Sequence, residues 1–410
     1  MKPGAARIVM IADDLSGAAD CAVSCAVQGL RTIVQLSEAP SSEPAQVLAI
    51  DAATRSMPAD RAAATIARIV AMYEHAPDRV LFKKLDSLLR GHIGAELAAM
   101  RCGQAPAIIV MAPALPAQGR TTIDGCLWLN GKRLAAAHAP RLLESAGLTS
   151  AQINLALIRG GSHQLAAKMA ELAHHHNALI CDAESEADLR AVAAAIAALP
   201  HAGWDSPIIW AGSSGLARHI PEAMGIAGAS SLVEEPRVAG PILTIVGSRA
   251  ALAHEQACEA ERSERLTTVL LTPQILREGP GSAQWRKQSS ALASALASWN
   301  DVMALIDARG ETIDRETAED PRLCAALASF VLPHMENVGG LIATGGETAR
   351  AVLVMSDITG LRLLREVEPG VPLAVSAGAR QIPVITKSGS FGDRATLANC
   401  IRVLRALKLE

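Results

Sequence analysis

The chain has 410 residues and a net charge of −3; half of its residues are apolar and only 2% are aromatic. That length exceeds one ordinary core and calls for roughly two or three domains. The near-neutral charge argues against nucleic acid as the main partner, and no run reaches the roughly 18 apolar residues of a membrane span.

Residues 1–7 lack the apolar block of a signal peptide, so the expected compartment is the cytoplasm. The eight cysteines are scattered without a paired CxxC spacing. Cys21 and Cys25, four apart on one helix face, read as packing, and disulfides are not expected. Alanine supplies much of the apolar count, which favours closely packed helices.

The first strong signal spans residues 8–20. Ile8-Val9-Met10-Ile11-Ala12 reads as a buried strand, and Asp13 and Asp14 stand where it ends. Ser16 and Gly17 break the pattern, and 18–27 reads as a helix. In an open α/β sheet, ligands bind beyond the carboxyl ends of the strands. Either aspartate alone has a plain alternative as a helix cap. A cap needs one carboxylate, however, and two adjacent carboxylates repel.

Apolar runs follow at 32–36, 47–50, 80–82, 107–111, 178–181 and 207–210. Helical patterns at 60–74, 91–100, 162–175 and 186–199 lie between several of them. Such alternation predicts a parallel sheet with crossover helices. Residues 228–241, rich in Gly, Ser, Pro and charge, read as a linker. Beyond them strands are expected at 242–246, 266–271, 302–306, 340–343 and 384–386, and helices at 250–262, 289–298, 324–332 and 347–355. The predicted class is α/β: two doubly wound domains, 1–227 and 242–410, with mainly parallel sheets and a ligand cleft between them.

Three places in the first half carry chemistry. Asp51-Ala52-Ala53-Thr54-Arg55 follows a strand end, where Arg55 is placed to fork onto a carboxylate. Phe82-Lys83-Lys84-Leu85-Asp86-Ser87-Leu88-Leu89-Arg90-Gly91 crowds two lysines, an aspartate and an arginine between a strand and a helix. A solvated turn would look similar; the functional reading is an anion site with an acid/base group inside it. Residues 113–125 read as a long turn-rich loop with Gln118, Arg120, Thr121 and Thr122 as donors, to which spacing assigns no roles. His174-His175-His176 points in different directions on a helix and reads as a polar helix end.

In the second half, three glycine-containing segments each follow an apolar run: 246–249, 344–349 and 387–393. Glycines let backbone N–H groups approach phosphates at helix starts. Three such loops in one domain suggest a nucleotide pocket. None is a Walker A loop or a GxGxxG fingerprint.

Taken together, Ala12-Asp13-Asp14-Leu15-Ser16-Gly17-Ala18, the 83–91 and 116–122 motifs, Gly345-Gly346-Glu347-Thr348-Ala349 and Lys387-Ser388-Gly389-Ser390-Phe391-Gly392 resemble the four-carbon acid sugar kinase family across nearly the whole chain. Its members phosphorylate D-threonate, D-erythronate or 3-oxo-tetronates with ATP. The resemblance implies an N-terminal acid-sugar domain and a C-terminal nucleotide domain. It implies that Asp13 or Asp14, Arg55, Lys83, Lys84, Leu85 and Asp86 touch the sugar acid. By the same carry-over Ser248, Gly345, Gly346, Glu347, Thr348 and Gly389 touch ATP. Ser16 and Leu88 each replace a threonine usual in the family; Leu88 removes a polar group near the implied substrate.

The expected reaction is transfer of a phosphoryl group from ATP to the terminal hydroxyl of the acid. Asp13, Asp14 and Asp86 remain unranked as the proton acceptor, and Arg55 with the lysine pair would anchor the carboxylate. Mg²⁺ is expected with ATP, held by Asp393 or one of the paired aspartates. The alternatives are a nicotinamide-dependent sugar-acid dehydrogenase and a non-catalytic sugar-acid or nucleotide sensor. The expected partners are small molecules only, and pairing of Ala-rich helices leaves room for a homodimer.

Overall fold

A computed structural model describes residues 6–36, 43–73, 76, 78–104, 106–228, 235–307, 321–378 and 380–408. The chain divides into two compact units, Met1–Ser230 and Ser231–Glu410. Part of the anticipated linker, 229–234, lies outside the described residues.

The first unit contains β1 (Ile8–Ala12), β2 (Thr32–Gln35), β3 (Val47–Asp51), β4 (Val80–Lys84) and β5 (Ile108–Ala112). After these come β6 (Arg120–Ile123), β7 (Cys126–Leu129), β8 (Lys132–His138), β9 (Ser150–Ile153), β10 (Ala178–Cys181) and β11 (Ile208–Gly212). Eight of the strands run in the order β2-β3-β1-β4-β11-β5-β10-β9, each parallel to its neighbours. Strands buried on both faces explain why β1, β3, β4 and β5 read as continuous apolar runs rather than alternating ones.

The chain leaves β1 toward β2 and β3 on one side, then crosses back to β4 on the other. Loops diverge at such a switch point and open a crevice at the carboxyl ends. The register is close: Ala12 lies opposite Asp51, and Ile11 opposite Lys83. Three loops rich in charge therefore emerge side by side.

Helices α1 (Leu15–Val27), α2 (Ala59–Ala71) and α3 (Ile93–Gly103) cover this sheet. On α1 the small residues Ala18, Ala19 and Ala22 are buried, allowing close approach to the strands. Gly94 of α3 packs against the carbonyl of Leu142, which a Cβ at that position would overlap.

The expected loop at 113–125 is a difference. A short turn (Pro116–Gln118) leads into β6, and β6, β7 and β8 form a separate antiparallel sheet. Two tight turns close it, Asp124-Gly125 (φ 52° and 67°) and Asn130-Gly131 (φ 48° and 75°). These pairs favour the two-residue turns whose twist suits antiparallel strands.

The second unit contains β12 (Ile242–Val246), β13 (Thr267–Leu271), β14 (Val302–Ile306), β15 (Gly340–Thr344), β16 (Gly360–Glu368), β17 (Val371–Ala377) and β18 (Pro383–Lys387). Their order is β13-β14-β12-β15-β18-β17-β16, with the first five parallel. The antiparallel hairpin β16–β17 was not expected; Pro369-Gly370, with Gly370 at φ 77°, forms its turn. The helix expected at 289–298 begins earlier, at Ala283, where Ser282 accepts a hydrogen bond from the Trp285 N–H. No helix among the described residues is long and apolar enough to cross a membrane.

Replacing Gly94 by alanine forces α3 away from the Leu142 carbonyl. The expected cost is about 1–3 kcal/mol in chemical denaturation, with no change in secondary-structure content.

Candidate functional site

Asp13 and Asp14 follow β1 directly. Arg55, from the loop after β3, bridges them. Its Nε donates to Asp13 Oδ2 at 2.8 Å, Nη2 to Asp13 Oδ1 at 2.9 Å, and Nη1 to Asp14 Oδ2 at 2.6 Å. The other oxygen of Asp14 accepts the Gly17 N–H at 2.7 Å. Asp14 is therefore both the cap of α1 and a member of the charge cluster. Asp86 Oδ2 stands 3.8 Å from Arg55 Nη2, and Asp86 is gripped by Arg90, with Nη2 to Oδ2 at 2.6 Å.

The three aspartates differ in their electrostatics. Burial pushes Asp13 up, but Lys83, Arg55 and Lys84 outweigh it and hold the carboxyl below the usual range. For Asp14 burial wins over Arg55, and the charge of Asp13 adds to the upward shift. Asp86 is brought down to about 2 despite burial, through Arg90 and Arg55.

The two lysines at the end of β4 part company. Lys83 is 1% exposed; its Nζ meets Glu96 Oε2 at 2.9 Å and donates to the carbonyls of Ile11 and Lys84. Glu96 also accepts the Thr54 hydroxyl. Lys84 Nζ has one acceptor among the described residues, the Leu85 carbonyl at 2.9 Å. The Leu85 side chain itself lies in the core.

Glu96 was missed by the sequence reading. Its signal is a carboxylate on the buried stripe of α3 with Ile93, Leu97 and Met100. A buried charge of that kind requires a partner. Two residues in the loops that carry Arg55 and Asp86 adopt left-handed backbone, Ala53 (φ 50°) and Leu89 (φ 59°). For L-residues this costs about 1–2 kcal/mol each. Such strain clusters at functional sites.

In the second unit, Ser248, Gly345 and Gly389 follow β12, β15 and β18, which are adjacent in the sheet. Gly389 lies so close to Ser248 that a Cβ there would overlap the Ser248 hydroxyl. Gly346, Glu347 and Thr348 open the helix Gly346–Met355, whose first turn no side chain caps. The first N–H groups of a helix have no partner inside it and attract anions. Lys387, 1% exposed at the end of β18, is lowered by burial to about 8. Asp393 Oδ1 accepts from the Ala395 N–H at 2.8 Å, as a turn-forming residue does. Among the described residues no three His, Cys, Asp or Glu side chains group to hold a metal ion.

Residues 8–220 match the family described as a sugar-binding N-terminal domain, and residues 243–397 the one described as a nucleotide-binding C-terminal domain. A D-threonate kinase of Cupriavidus necator is 39% identical over 409 residues, covering 95% of this chain and 96% of the relative. This chain belongs to the four-carbon acid sugar kinase family. A 3-oxo-tetronate kinase of Pseudomonas fluorescens is 29% identical, covering 94% of each chain. A solved Salmonella typhimurium structure shares the fold, with a TM-score of 0.79 at 22% identity, over 97% of this chain and 99% of that one.

Removing one member of the buried Lys83–Glu96 pair strands the other. Glu96→Leu is expected to cost about 3–5 kcal/mol, and Lys83→Met/Glu96→Leu distinctly less, in equilibrium denaturation. Equal losses in the single and double variants would show that the two charges are not coupled.

Proposed function

We propose that this kinase transfers a phosphoryl group from ATP to the terminal hydroxyl of D-threonate. The observation that carries the choice of acid is the 39% identity, along nearly the whole chain, to a D-threonate kinase. D-erythronate and the 3-oxo-tetronates are the competing acids. The crowded strand-end charges of the first unit and the glycine loops of the second support the division into an acid site and a nucleotide site.

The glycine loops suit ATP. The uncapped start of Gly346–Met355 offers N–H donors, and the missing side chain at Gly389 lets the backbone approach phosphate. Bound ATP with Mg²⁺ would supply the γ-phosphoryl group and part of the charge neutralisation. With no group of three His, Cys, Asp or Glu side chains among the described residues placed to hold a metal, the ion would be held chiefly by the nucleotide's phosphates.

In the acid site, Asp14 accepts the proton of the attacking hydroxyl. It is the one of the three aspartates whose carboxyl lies above the usual range, which suits a proton acceptor better than the depressed Asp13 and Asp86. Asp13 stays ionised and holds Arg55 in place. Lys84 keeps donors for the transferring phosphoryl group, while Lys83, enclosed by Glu96 and two carbonyls, acts through its charge on Asp13.

The test is ADP release with purified protein, ATP and Mg²⁺ over D- and L-threonate, D- and L-erythronate and the 3-oxo-tetronates. Turnover fastest on D-threonate is expected; silence on every acid would overturn the reading. Asp14→Asn should lower kcat by about 10²–10⁴-fold with little change in KM. An equal loss confined to Asp86→Asn would move the role there.

The pH profile gives a second check. The acid limb of kcat/KM should lie above the ordinary aspartate value of about 3.9. The negative charge of Asp13 disfavours ionised Asp14, so Asp13→Asn should move that limb to lower pH.

A further inference from the structure

The cations of the acid site can be matched one by one. Lys83 answers Glu96. Arg55 bridges Asp13 and Asp14, and Arg90 grips Asp86. Lys84 lies close enough to lower both Asp13 and Asp14. Arg120 is left over.

Arg120 reaches this cluster from the small antiparallel sheet. Its Nη1 donates to the hydroxyl of Ser87, the residue after Asp86. Its Nε is buried and makes no hydrogen bond among the described residues. Burial lowers its pKa, opposed by the charge of Asp86; Arg90 adds to the lowering, and Asp20 opposes it. A half-buried guanidinium whose donated bond goes to a neutral hydroxyl keeps its charge and most of its donors for a ligand.

The backbone holds Arg120 firmly. Its N–H donates to the Leu115 carbonyl at 3.1 Å, and the Leu115 N–H donates back to its carbonyl at 2.7 Å. On the other side it pairs with Leu129 of β7. Two residues along the same face of β6, the Thr122 hydroxyl is also buried without a hydrogen bond. Arg55, the alternative anchor, stands among Asp13, Asp14 and Asp86. A substrate carboxylate there would lie against three like charges that Arg55 already contacts, whereas at Arg120 the acting carboxylates are Asp86 and Asp20, neither paired with it among the described residues.

We propose that Arg120, oriented by Ser87, binds the carboxylate of the sugar acid and so sets the preference for an acid over a neutral polyol derivative. This assignment rests on the acid-kinase reading above. It leaves Arg55 as the organiser of the aspartates rather than the carboxylate anchor.

The experiment compares D-threonate with D-threonamide, which is neutral and nearly the same shape. Calorimetric binding of each is measured on the wild type, Arg120→Met, Arg120→Lys and Ser87→Ala, with ADP release alongside. Truncating one partner of a desolvated charge pair should weaken acid binding by about 30-fold or more. In Arg120→Met the acid should lose that affinity while the amide changes by less than about threefold, the pattern of a direct coupling. Arg120→Lys should recover part of the loss, and Ser87→Ala should raise the acid's KM with kcat nearly kept. Equal losses for acid and amide, or no loss for either, would overturn the assignment while leaving the kinase reading intact. A wild type that turns over no sugar acid would overturn both.

Discussion

The charged cluster at the strand ends of the first unit depends on one arginine shared between two adjacent carboxylates. Asp13 and Asp14 leave β1 side by side, buried, and would repel each other if unopposed. Arg55 takes three of their four oxygens, and the fourth accepts the Gly17 N–H at the start of α1. Through this guanidinium the ends of β1 and β3 and the first turn of α1 are tied together. The backbone repeats the tie, because the Asp13 carbonyl accepts the N–H groups of Thr54 and Arg55. The same sharing is uneven. It holds Asp13 ionised and leaves Asp14 closer to protonation, so two identical side chains acquire different chemistry.

A second buried pair holds the neighbouring strand. Lys83 and Glu96 join the end of β4 to α3, and Thr54 joins Glu96 back to the loop that carries Arg55. A pair this deeply buried repays its desolvation only when every donor is satisfied, and Lys83 Nζ meets three acceptors. Lys84, one residue on, points its amino group at the Leu85 carbonyl and lies close to Gly17. Alternation along a strand sends adjacent side chains to opposite faces, which is why two consecutive lysines make different contacts.

In the second unit, which matches a nucleotide-binding domain family, the glycine-containing strand ends are built from backbone rather than charge. Its three loops follow β12, β15 and β18, adjacent strands around the point where the chain reverses direction across the sheet. Close approach between Ser248 and Gly389 leaves no room for a side chain, and the helix start at Gly346 carries no cap. Such a surface recognises phosphate by geometry and partial charge.

Much of this was legible in the linear chain. Buried parallel strands require unbroken apolar runs, so β1, β4, β12 and β15 announce themselves, and a charge placed just past such a run lands at a sheet edge. The small sheet β6–β8 also has its signal there, in Asp124-Gly125 and Asn130-Gly131, although residues 113–125 read as a loop. Which charges meet was not legible. Asp13 and Arg55 are 42 residues apart, Lys83 and Glu96 lie on different elements, and Arg120 reaches Ser87 from another sheet. Composition and spacing determined two α/β units with charged and glycine-rich strand ends. Only the tertiary structure decided which cation answers which carboxylate, because strand order and register, not distance along the chain, set the short separations over which buried charges act.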